Sequence, residues 1–94
     1  MLRFDWDERK NKANRTKHGI WFEEARSVFD DLNARLFYDP EHSGDEERFI
    51  LLGVSSASRI LIVVHSYREP DSLIRIISAR KGTRKEIRFY EEGI

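Results

Sequence analysis

The chain has 94 residues, the size of one domain, and 39% of them are apolar, enough for one modest core. It contains no cysteine, which excludes a disulfide framework and a thiolate metal site. No apolar run approaches the ~20 residues that span a bilayer, and the opening Met1-Leu2-Arg3-Phe4-Asp5 has no signal-peptide core, so a cytoplasmic protein without a membrane role is expected.

Phe4 and Trp6 fit a short first strand. Asp7 is a good N-cap, and residues 8 to 18 then read as a polar helix whose one aliphatic residue, Ala13, predicts a narrow packing stripe. Gly19 suits the left-handed position that ends it, with Lys17 and His18 at the negative end of its dipole. A second helix is predicted over 22 to 31, with Trp21, Ala25, Val28 and Phe29 on one apolar face.

Four strands follow, over about 34–39, 47–54, 59–67 and 73–79. Turn chemistry separates them at Pro40 to Asp45, Ser55 to Ser58 and Glu69 to Ser72. The third strand is apolar on both faces and so is central. Thr83 and Glu86 form a capping box at the start of a last helix, which turns Ile87, Tyr90 and Ile94 inward and leaves Arg84, Lys85 and Arg88 wet. Short connections predict an antiparallel meander. The fold expected is α+β: two N-terminal helices, a four-stranded antiparallel sheet with an optional short N-terminal strand, and a C-terminal helix, as one domain over 1–94.

The net charge is zero, from 17 basic and 17 acidic residues, but the charges are segregated. Arg9, Lys10, Lys12, Arg15 and Lys17 form one basic stretch. Arg75, Arg80, Lys81, Arg84, Lys85 and Arg88 form a second, and Asp39, Glu41, Asp45, Glu46 and Glu47 an acidic block. Such a chain either presents a polyanion-binding face or simply solvates its helices. No P-loop, G-x-G-x-x-G, H-E-x-x-H or serine elbow is present. His18, His42 and His65 lack metal-ligand spacing, so no metal or other cofactor is expected.

A basic surface with scattered proton-transfer groups suits RNA, whose phosphates attract Arg and Lys and whose bases stack on Tyr and His. RNA also permits chemistry without a metal, because the ribose 2′-OH can attack its own phosphate. Arg75, Arg80 and Lys81 offer charge stabilisation; His65, Tyr67, His18 or Glu47 offer proton transfer. A regular fourth strand points Arg75 and Arg80 to opposite faces, so both serve one site only if the strand bends or ends near Ser78.

Several blocks in register resemble one known family. The first is Phe4-Asp5-Trp6-Asp7 with Lys10, Asn14, Lys17-His18-Gly19-Ile20, Phe22-Glu23-Glu24-Ala25 and Val28-Phe29-Asp30. The second is Asp39, His42, Glu46-Glu47-Arg48-Phe49 and Gly53. The third is Arg59 to His65, Arg75 to Arg80, Thr83, Arg84, Glu86 and Tyr90. Nearly the whole chain is similar to BrnT, the toxin of a bacterial type II toxin–antitoxin system. It departs at Trp21, where the family often has a small hydroxyl residue that would cap the second helix, and at Gly82, where it often has Ala.

The resemblance implies a RelE-like fold and an endoribonuclease that arrests growth by cutting RNA. It also implies neutralisation by a BrnA-type antitoxin, through which alone the complex meets DNA. His18, His65, Tyr67, Arg75 and Arg80 are the candidate catalytic residues, with Glu47 as a further acid or base. Lys17, Arg48, Lys81 and Arg84 are the candidate RNA contacts. The competing readings are a non-catalytic RNA- or protein-binding module and a basic face that mainly docks the antitoxin.

Overall fold

Helix α1, Glu8–His18, starts and stops where the sequence places it. Asp7 caps it by accepting from the Arg9 N–H at 2.8 Å, and Gly19 closes it at φ 77°. Its buried face is not the expected Ala13 stripe, because Ala13 is exposed. Asn11 and Asn14 are buried instead. Asn14 Nδ2 donates to the carbonyls of Ile20 and Ala79, and its Oδ1 accepts from the Ala79 N–H, so one amide fastens α1 to a strand edge. Asn11 Oδ1 accepts from the Phe22 N–H at 2.7 Å while its Nδ2 donates to Glu8 and Glu23. That bond caps the next helix from a distance, as Trp21 makes no side-chain cap there.

Helix α2, Phe22–Ser27, runs into a 3-10 turn at Val28–Asp30, so the predicted second helix is shorter and tightens at its end. Phe22, Ala25 and Val28 are buried, whereas Trp21 is 45% exposed and lies outside the apolar face assigned to it.

This computed structural model describes residues 2–44, 46–69 and 72–93. Asp45 of the first turn lies outside these residues, as do Pro70 and Asp71 of the third turn and Ile94, which the sequence expects to pack inward. The strands are β1 (Arg3–Asp5), β2 (Arg35–Asp39), β3 (Arg48–Val54), β4 (Ile60–Glu69) and β5 (Leu73–Lys81). Their order is β1-β5-β4-β3-β2. The antiparallel meander from β2 to β5 is as expected, and β1 makes the sheet mixed by pairing parallel to the lower half of β5. Helix α3, Arg84–Glu92, carries the capping box: Thr83 Oγ1 accepts from the Glu86 N–H, and Glu86 Oε1 from the Thr83 N–H.

Alternation along the strands sorts side chains onto two faces. The inner face, Leu51, Leu61, Val63, Ile76 and Ala79, packs on Ile20, Phe22, Ala25 and Val28. Gly53 is required there, since a Cβ would come within 2.9 Å of Ala34, Asp31 and Val28. The outer face carries Phe37, Ile50, Leu52 and Ile62, which α3 partly roofs through Phe89. Tyr90 donates to Asp31 at 2.6 Å and ties α3 to the loop before β2. That bond pushes the Tyr90 hydroxyl up to about 12. No helix among the described residues is long and apolar enough to cross a membrane.

Candidate active site

The outer face is charged at the end that α3 leaves open. Asp39 pairs with Arg48, Phe49 with His65 and Ser66 with Arg75, so Asp39, Arg48, Ser66 and Arg75 form one cross-strand row. β5 then breaks step. Ser78 pairs with Val64 and Ile76 with His65, which leaves Ile77 without a partner. This β-bulge reverses the alternation, so Arg75, Ser78 and Arg80 share the outer face while Ile74, Ile76 and Ala79 stay in the core. The bend that a joint role for Arg75 and Arg80 requires is therefore present, one residue before Ser78.

Asp39, His42, Arg48, Ile50, Ile62, Val64, Ser78 and Arg80 line a cleft of about 300 Å³ on this face. Its rim is built by the turn after β2. Pro40 starts a short 3-10 turn that ends at His42. Ser43 Oγ donates to the Asp39 carbonyl and accepts from the Arg48 N–H, closing the turn onto β3. His42 Nδ1 lies 2.9 Å from Asp39 Oδ2. A carboxylate only accepts, so Nδ1 carries a proton, and in the neutral ring Nε2 is the nitrogen that holds the lone pair. The ring is well exposed and the Asp39 carboxylate largely covered.

Across the cleft, Arg80 makes a two-pronged pair with Glu86, at 2.8 and 3.0 Å. The Arg80 guanidinium holds the Glu86 carboxyl down at about 2, and Glu86 in turn raises Arg80. The guanidinium of Arg48 has no ion pair among the described residues. Arg75 pairs with Asp5 of β1 at 3.3 Å, not with the acidic block. Beside it the buried Ser66 hydroxyl makes no full hydrogen bond among the described residues. Burial works to raise the neighbouring Glu46 carboxyl, but the approach of Ser66 and the Arg68 guanidinium holds it below the usual range.

Arg48, Arg75 and Arg80 are thus gathered on one face, and the other sequence candidates are not. His65 is fully buried on the inner face, edge-on to Phe29 and stacked near Phe49. Its Nδ1–H donates to the Val63 carbonyl, and Nε2 accepts from the Tyr67 hydroxyl at 3.2 Å. Burial pushes the ring down to about 4. Tyr67 borders a separate hollow with Glu46, Glu47, Phe49 and Arg68 at the end of the sheet. His18 and Lys17 end α1, in the layer behind the sheet. Lys81, paired with Leu61, returns to the inner face near Glu24, and Arg84 is exposed on the first turn of α3.

Sequence reasoning left Asp39, His42 and Ser78 out of the candidate site. The signal for the first two was the Asp-Pro-x-His spacing, which returns a histidine onto the preceding aspartate within one turn. Ser78 had no local signal, because its direction depends on the bulge.

A family model described as the ribonuclease toxin BrnT of type II toxin–antitoxin systems matches residues 6–86. The chain belongs to the BrnT family. The 1.1 Å crystal structure of the Brucella abortus ribonuclease toxin BrnT is 22% identical and has a TM-score of 0.67. The match covers 89% of this chain and 100% of that one, and it establishes the shared fold. No curated protein matches the sequence. As a BrnT-family toxin the chain has RNA as its expected substrate and an antitoxin protein as its expected partner.

Proposed function

We propose that this BrnT-family chain is an RelE-like endoribonuclease that cuts RNA in the Arg48–Arg80 cleft without a metal ion, acting in the cytoplasm until a BrnA-type antitoxin neutralises it. The unpartnered Ile77 carries the reading, since it turns Ser78 and Arg80 toward Arg48 and the Asp39–His42 pair. Arg48 stands level with Ser66 and Arg80 with Ile62, on the strands either side of β4, so a phosphate over Val64, midway between them and ~8 Å from each backbone, lies within reach of both side chains.

His42 Nε2 takes the proton of a ribose 2′-OH, and Asp39 steadies the imidazolium that forms. The 2′-oxygen bonds to the adjacent phosphorus, and the bond from phosphorus to the 5′-oxygen breaks. The leaving 5′-oxygen takes a proton from solvent, which reaches the open cleft. Arg48, Arg80 and the Ser78 hydroxyl neutralise the charge that grows on the phosphoryl oxygens. The products carry a 2′,3′-cyclic phosphate and a 5′-hydroxyl.

The test is incubation of the purified chain with a 20-nucleotide RNA in EDTA. Cyclic-phosphate and 5′-hydroxyl ends are expected, with no cut where the scissile ribose is 2′-deoxy. Intact RNA in the presence of folded protein overturns the reading. The pairing of Arg80 with Glu86 favours one competitor, a binder with no turnover. Binding of RNA without any cleavage establishes that competitor.

A further inference from the structure

We propose that α1 and Trp21 form a second RNA-binding surface, which takes the unpaired flank of the substrate as it leaves the cleft. The proposal rests on RNA being the substrate. α1 turns Asn11 and Asn14 to the protein, and its exposed arc is basic: Arg9, Lys10, Lys12, Arg15 and Lys17 are all exposed. Apart from a long, exposed contact of Arg9 with Asp7 at 4.0 Å, none of these five forms an ion pair among the described residues. The nearby carboxylates are engaged elsewhere. Glu8 accepts from Trp6 and Asn11, Glu23 from Asn11, and Glu24 from Arg59 and Ser55.

Trp21 adds a base-stacking platform. It is 45% exposed at the end of the loop that follows α1, and the Arg15 guanidinium lies over one side of its ring, 5.7 Å from the centre. A base stacking on the other side of the indole would place its phosphate near that guanidinium.

The route from the cleft is short. β1 covers β5 only at Leu73 to Arg75, so the upper half of β5 borders no other strand on that side. Asn14 bonds to both backbone groups of Ala79 there, which sets α1 directly against the strand that carries Arg80. A strand of RNA passing Arg80 turns over this edge by about one layer of protein, ~10 Å, and meets the basic arc of α1 and Trp21.

The experiment compares the parent chain with Arg15→Ala/Lys17→Ala/Trp21→Ala, using an uncleavable 2′-O-methyl 20-nucleotide RNA by fluorescence anisotropy over a salt series. The variant is expected to bind roughly tenfold more weakly, with a salt slope shallower by about 1.4, for two lost phosphate contacts. Its preference for a long RNA over a trinucleotide, read as a ratio of kcat/KM, falls by a similar factor. Parent affinity and slope in a folded variant overturn the proposal. So does unchanged RNA affinity with loss of antitoxin capture, which makes this a protein-docking face. Arg15→Gln/Lys17→Gln, which keeps the indole, replaces the triple variant if α2 loosens. Weaker binding by the variant when the parent chain cuts no RNA leaves this surface standing while the proposed activity fails.

Discussion

The two faces of the sheet treat the same residue types in opposite ways. On the inner face, His65 is buried among Phe29, Phe49 and Tyr67, neutral and fixed in one tautomer. On the outer face, His42 is exposed and tethered to a carboxylate, and its second nitrogen has no partner among the described residues. Asparagines inside satisfy backbone, whereas arginines outside wait on a cleft. Residue type therefore says little about role until the face is known, and one unpaired residue in β5 decides the face of Arg80.

The largest effect that tests this contrast is on the outer face. Arg80→Ala is expected to lower kcat by about 10²–10³-fold while leaving the fold intact, the usual cost of losing a charge stabiliser. Single-turnover cleavage with circular dichroism measures both. Activity within threefold of the parent takes Arg80, and with it the bulge, out of the mechanism.

The inner face makes the opposite prediction for its histidine. The His65 ring falls from an ordinary 6.5 to about 4 because the core disfavours its charge. The unfolded chain therefore binds a proton that the folded chain refuses. The stability this confers is complete above 6.5 and is lost as pH falls from 6.5 toward 4, by about 3 kcal/mol. His65→Leu should flatten that part of the stability profile in urea titrations and keep cleavage within a few fold. A hundredfold loss of cleavage in a folded His65→Leu would restore His65 as a catalytic group.

Asn14→Ala comes next, at about 2 kcal/mol. It strands the Ala79 N–H and two carbonyls in a buried place. Urea denaturation reads the loss, and an effect below 0.5 kcal/mol, about the size of a surface change, would mean that water replaces the amide.

Much of this fold was legible because its element ends carry strong local chemistry. Asp7, Gly19, Thr83 and Glu86 mark their helices correctly, since caps depend on neighbours in sequence. What α1 buries was not legible. Hydrophobic periodicity searches for apolar stripes, and here the helix is held by two amides. The parallel docking of β1 escaped notice for a related reason: three residues hold too little pattern to specify a partner some 70 positions away. The bulge at Ile77 hid most completely, because no glycine or proline marks it and only the β4 register reveals it. Ser78 was hidden with it, whereas His42 lay open in the Asp-Pro-x-His spacing.

The smallest expected effect lies at Glu86, where the two faces' habits meet. Its carboxylate does inner-face work by closing the α3 cap, and outer-face work by gripping Arg80. Both side chains are partly exposed, so the pair itself stabilises the fold by no more than about 1 kcal/mol. Glu86→Gln keeps an oxygen for the Thr83 N–H, and α3 should start as before. What changes is the competition for the guanidinium. A substrate phosphate no longer has to displace a carboxylate, so KM should fall about threefold. The fork also loses the partner that orients it, so kcat should fall by a similar factor, leaving kcat/KM nearly unchanged. Steady-state kinetics on one RNA resolves the two constants. If neither constant moves, Arg80 does not exchange Glu86 for phosphate, and the cleft binds RNA through Arg48 alone.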